Sequence, residues 1–143
     1  MDLVEAASGA LQVVVVEDDE SLLRLYEIKF GSATFPILLS AFKNARDAIN
    51  HLSDNYADMV IVDMQLPDMN GEELIDNLFN LFPMFGTKVI IISGRDEEDI
   101  RAHHNLPDDV SVFPKPVPFN YLLEKLQMMH DFRQGLSPGG LGI

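Results

Sequence analysis

The chain switches repeatedly between two hydrophobic periods. "LQVVVV", Leu11 to Val16, is a short, largely β-branched run, the pattern of a strand covered on both faces. "ESLLRLYEIKF" follows with Leu22, Leu25 and Tyr26 on one helical face, and Gly31 is a stop signal. "PILLSAF", Pro36 to Phe42, predicts a second strand, and "KNARDAINHL" a helix turning Ala45, Ala48, Ile49 and Leu52 inward. "MVIVD", Met59 to Asp63, is the third strand. "GEELIDNLFNLF" gives a helix with a wide apolar face of Leu74, Ile75, Leu78, Phe79, Leu81 and Phe82. "KVIIIS" is the fourth strand, "RDEEDIRAHHN" a very polar helix and "VSVF" a short fifth strand. "FNYLLEKLQMMHDF" closes the pattern, with Phe119, Leu122, Leu123, Leu126 and Met129 at helical spacing.

Strands and helices that alternate in this way predict parallel βα units, an α/β fold whose sheet carries helices on both faces. The expected domain is 11–132, preceded by an N-terminal extension, 1–10. The Gly/Pro-rich end, 133–143, is expected to be a flexible tail or a truncated linker. A length of 143 residues, 47% of them hydrophobic and 23% charged, fits one globular domain with a sizeable core.

Charge narrows the function. Ten Lys and Arg against 23 Asp and Glu leave a net charge of −13, and the basic residues are scattered. No basic stripe exists to track a phosphate backbone, so no nucleic acid is expected as partner. An acidic surface suits selection among protein partners or cations. The absence of cysteine excludes disulfides, thiolate metal sites and a thiol nucleophile, and suits a reducing compartment. The start, "MDLVEAASGA", lacks a basic n-region and an apolar core, and no apolar run approaches the ~20 residues that cross a bilayer. A cytoplasmic protein with no membrane contact is expected.

Candidate chemistry collects at the strand ends, where open α/β sheets bind ligands. The first strand ends in Glu17, Asp18 and Asp19, the third in Asp63, the fourth in Ser93 and Gly94, and the fifth leads to Lys115 and Pro116. Carboxylates crowded at one sheet edge repel, and a hard divalent cation relieves that better than a proton does. A metal there leaves Asp63 ionised and able to attack phosphorus, with Lys115 and the Ser93 hydroxyl neutralising the oxygens of the transferred group. Asp63 is therefore a candidate nucleophile that forms an acyl phosphate. Each residue alone has an ordinary role, as a helix cap, a turn former or a solvated ammonium. Together, in this order, they favour the chemical reading. His103 and His104 do not share a helical face, and are read as solvent-facing.

With Glu17–Asp18, "DMQLPDMNG" around Asp63, Ser93–Gly94 and Lys115–Pro116, the sequence from about Leu11 to Phe132 resembles the receiver domain of two-component response regulators. The resemblance implies a flavodoxin-like, five-stranded parallel sheet of order 2-1-3-4-5 with five helices. It implies a phosphoryl group taken by Asp63 from a phosphohistidine on a sensor histidine kinase or histidine phosphotransfer protein. Mg2+ would be held by Asp18 and Asp63 directly, by Glu17 through water, and by the backbone carbonyl of Gln65. It also implies a cis Lys115–Pro116 bond, and a signalling role rather than an enzyme's, since a receiver promotes only its own phosphorylation and dephosphorylation. The target would be a downstream protein or a missing output domain. One position departs from the family: Val112 stands where a switch Tyr or Phe is usual, and Phe113 lies one residue later, on the other side of the strand. The polar "RDEEDIRAHHN" helix, joined to Ser93 and with little to bury, is expected to move on phosphorylation, changing the surface it shares with the fifth strand and last helix.

Two other classes remain. A pseudo-receiver would bind proteins without phosphorylation, but none of Asp63, Lys115 or the acidic pair is replaced. An aspartyl-phosphate hydrolase would need a second acid two residues after the nucleophile, and Gln65 stands there.

Overall fold

The computed structural model describes residues 9–81, 86–94, 106 and 109–135. In chain order the elements are β1 (Leu11–Val16), α1 (Glu20–Gly31), β2 (Ile37–Phe42), α2 (Ala45–Asp54), β3 (Met59–Asp63), α3 (Gly71–Leu81), β4 (Lys88–Ser93), β5 (Ser111–Pro114) and α4 (Phe119–Arg133). The strands form one parallel sheet of order β2-β1-β3-β4-β5. The expected order is therefore met. The predicted helix over "RDEEDIRAHHN", 95–105, lies outside the described residues.

The strands read as continuous apolar runs because both faces of the sheet are covered. On one face Val13, Val15, Ile61, Ile90 and Ile92 pack with Tyr26 and Phe30 of α1 and Leu122 and Leu126 of α4. On the other, Val14, Val16, Val60 and Val62 meet Ala45 and Ala48 of α2 and Leu74 and Leu78 of α3. Ile75 of α3 continues that face with Val89, Ile91 and Val112. The alternation is the period-2 geometry of a strand, hidden in the sequence because each face is equally apolar.

The α1 expectation needs correction. Its buried face is Leu23, Tyr26 and Phe30, and Leu25 is 38% exposed. Leu23, Tyr26 and Phe30 follow a 3–4 spacing that brings the two aromatic rings inward, where Tyr26, Phe30 and Phe119 meet edge to face. Leucines on both sides of that stripe masked its direction. At the amino edge of the sheet the buried Asp58 carboxylate accepts from the Gln12 N–H at 2.7 Å and pairs with Arg133, so the last turn of α4 is fastened to the sheet.

β1 lies between β2 and β3: the chain goes from it to the edge strand β2 and then crosses back over it to β3. The carboxyl ends of β1 and β3 are thus the switch point, where neighbouring connections depart in opposite directions and leave a crevice.

Candidate functional site

The sheet register brings the predicted residues together. Val16 is level with Val62, Asp63 with Ile92, and Ser93 with Pro114, so the residues after β1, β3, β4 and β5 line one rim. A cavity of about 480 Å³ opens there, lined by Asp63, Met64, Gln65, Asn70, Ser93, Gly94 and Lys115. Asp63 is only 7% exposed and Ser93 2%, so both functional groups are held by the strands that end on them.

The Lys115 ammonium lies 3.6 Å from Asp63 Oδ1. Its backbone N–H donates to the Ser93 carbonyl at 2.7 Å, and the Lys115–Pro116 bond is cis, as expected. These contacts link the β5 end to the β4 end and carry the lysine across the cavity mouth. The Gln65 N–H approaches Asp63 Oδ1 at 3.4 Å from the other side.

Carboxylate oxygens of Glu17, Asp18 and Asp63 all lie within 4.8 Å of one another. Glu17 is buried, and burial pushes its carboxyl up from 4.5 to about 7. The Asp63 charge adds to that rise, while the Asp19 N–H, 3.1 Å from Glu17 Oε2, and the Lys115 charge oppose it. Three acids this close, one of them reluctant to ionise, form an oxygen-only donor set that fits a hard divalent cation such as magnesium. Gln65, expected to contribute its carbonyl, lines the cavity with Asp63.

Asp19 has a different task. Its Oδ1 accepts from the N–H groups of Ser21 at 2.9 Å and Leu22 at 3.3 Å, capping α1. The acidic run is therefore split between cluster and cap. Val112 is buried between β4 and α3, while Phe113 faces the opposite side and meets the Tyr121 ring at 4.7 Å. Phe113 thus points away from the side on which a switch aromatic would stand at position 112.

Pro67 and Gly71 mark the loop after Asp63 in the sequence, but the part Asn70 takes in closing it was missed. Gln65 and Asn70 pair as an isolated antiparallel bridge, and the Gly71 N–H donates to the Met64 carbonyl at 2.6 Å, closing the loop into a tight turn. Asn70 Oδ1 also caps α3 through the Glu73 N–H at 2.8 Å, while Asn70 lines the cavity. The spacing of Asn70 and Glu73 was the available signal, since it is that of a capping pair.

A family model described as the response regulator receiver domain matches residues 13–127. Response regulator ArlR of Staphylococcus aureus is 24% identical over 86 residues, covering 60% of this chain and 37% of ArlR. The matched part is thus well under half the length of that curated relative. Among solved structures, the CheY-like receiver domain protein from Methanospirillum hungatei JF-1 is similar with a TM-score of 0.68 and 23% identity, covering 87% of this chain and 97% of that one. The Francisella response regulator 1452 receiver domain gives 0.69 and 22%, covering 86% and 98%. The phosphorylated cyanobacterial phytochrome response regulator RcpA gives 0.67 and 19%, covering 86% and 93%. These structures share the fold.

Proposed function

The chain belongs to the response regulator receiver domain family, and from that premise we propose that it is the phosphoacceptor of a two-component or phosphorelay system, with Asp63 as the acceptor. The observation that carries the reading is the position of the Asp63 carboxylate. It lies at the switch point of the sheet, between the Lys115 ammonium at 3.6 Å and the Glu17–Asp18 oxygens. That a similar structure is of a phosphorylated response regulator supports it.

The donor is a phosphohistidine on a sensor kinase or phosphotransfer protein. An Asp63 oxygen forms a new bond to phosphorus as the P–N bond breaks, and the bonding pair leaves with the imidazole nitrogen. Asp18 and Asp63 would hold Mg2+ directly, with Glu17 acting through water and Gln65 by its carbonyl, and the ion would supply positive charge to the carboxylates and the transferred group. Lys115 holds a positive charge beside the group on Asp63, and the Ser93 hydroxyl donates to one of its oxygens. The product controls binding to a downstream protein or an attached output domain. The changed surface includes β5 and α4; the polar segment 95–105, expected to share it, lies outside the described residues. With Val112 in place of an aromatic, the change runs through Ser93 rather than through a ring flip.

Incubation with magnesium and acetyl phosphate tests the reading. One phosphoryl group per chain, lost in Asp63→Asn and in excess chelator, is expected. No labelling would instead mark a binding module, and sustained turnover of phosphate esters a hydrolase.

A further inference from the structure

We propose that Asp68 is a positioning residue for the cation side of the site, acting by fastening the loop after Asp63 to the start of α2. This deepens the reading of Glu17, Asp18 and Asp63 as a divalent-cation site and rests on it.

The loop is fastened separately at its base and at its tip. At the base, the Met64 N–H donates to the Ile92 carbonyl at 3.0 Å, and the Gln65–Asn70 bridge and the Gly71–Met64 bond close the turn. At the tip, Asp68 Oδ1 accepts from the Ala45 N–H at 2.9 Å and Oδ2 from the Arg46 N–H at 3.0 Å. These are the first two amides of α2, where the helix has unsatisfied donors and the positive end of its dipole. Leu66 and Met69 flank Asp68 and pack against the cluster containing Ala45 and Ala48. The tip is thus held by one carboxylate with both oxygens engaged and by two apolar side chains.

A cap for α2 alone does not explain Asp68. The helix already has Asn44 at its N-cap, whose Oδ1 accepts from the Asp47 N–H at 2.9 Å. Asp68 adds a connection across 23 residues of sequence, from helix to loop. Gln65, in the bridge at the base, is three residues from that tether. Its N–H is 3.4 Å from Asp63 Oδ1, so any shift of the loop moves both the peptide that touches Asp63 and the carbonyl assigned to the cation. Outer partners of metal ligands act in this way, by fixing orientation rather than by touching the ion, and their loss weakens binding by about 10–100-fold.

Titration calorimetry with magnesium chloride alone tests this on the full chain. Asp68→Ala is expected to weaken Mg2+ binding about tenfold. Asn44→Ala, which removes the cap of the same helix but not the tether, is expected to leave the affinity at the wild-type value. Asp68→Asn, which keeps one acceptor oxygen, is expected to fall between wild type and Asp68→Ala, and serves if Asp68→Ala does not fold. Unchanged affinity in the Asp68 variants overturns the proposal, and so does an equal loss in Asn44→Ala, which would make the effect one of helix stability. If wild type itself binds no Mg2+, the cation site fails first and the tether with it.

Discussion

Gly71 sets how close the start of α3 comes to the end of β3. A Cβ there would stand 2.7 Å from the Asp63 carbonyl oxygen and 2.9 Å from Met64 Cα, both backbone atoms that cannot step aside. Gly71→Ala is therefore expected to cost about 1–3 kcal/mol, read from the urea midpoint, and to lower the rate of Asp63 labelling because the strand end must move. Wild-type stability and rate in Gly71→Ala would show that the contact yields easily. At this scale the sequence told the residue types well. Glu17, Asp18, Asp63, Ser93 and Lys115 follow from their places after strands, and the structure brings them to one rim. It did not tell that Asp19 turns away to cap α1, or that Gly71, besides closing the loop, has the backbone at the end of β3 pressed against it. Both depend on which backbone lies opposite.

Elements decide how a change at Asp63 can travel. Along β5 the side chains alternate, so Val112 is buried with Ile75 and Ile91 while Phe113 packs with the α4 side near Tyr121. No aromatic of β5 can swing on the Val112 side. Val112→Phe should destabilise the protein by about 1–3 kcal/mol through overpacking, measured by denaturant unfolding. A neutral result would mean that an inward ring fits there. The α2 tether has its own pH signature. Burial opposes ionisation of Asp68, but the Ala45 and Arg46 N–H groups prevail and hold its carboxyl below the ordinary 3.8. A depressed carboxyl contributes stability above its unfolded pKa and loses it as pH falls through the folded value. Asp68→Ala should thus lower stability near neutral pH, with the gap to wild type closing below about pH 4. A gap that stays constant into acid would assign the loss to packing. The sequence placed every described helix within a residue or two, and put Tyr26 and Leu22 of α1 inward as found, but chose Leu25 where Leu23 is buried. Leu22, Leu23 and Leu25 offer competing apolar stripes, and only the aromatic partners Phe30 and Phe119 choose between them.

Across the whole molecule, continuous β-branched runs alternating with amphipathic segments were enough to give a parallel α/β sheet. The strand order came with the family resemblance, because periodicity does not say which strands are neighbours. Nor could it show the long-range fastening of α4 to the sheet through Arg133 and the buried Asp58. Of the acids at the strand ends, Glu17 and Asp63 are set apart from the acidic surface by burial, and Asp63 also by Lys115, while Asp18 is exposed. The account turns on Asp63 as the residue that receives phosphorus, and peptide mapping by mass spectrometry after incubation with acetyl phosphate reads that directly. A single phosphoryl group on the peptide containing Asp63, dependent on magnesium and absent from Asp63→Asn, is the predicted result. Undiminished labelling of Asp63→Asn, or a label carried elsewhere in the chain, would contradict it.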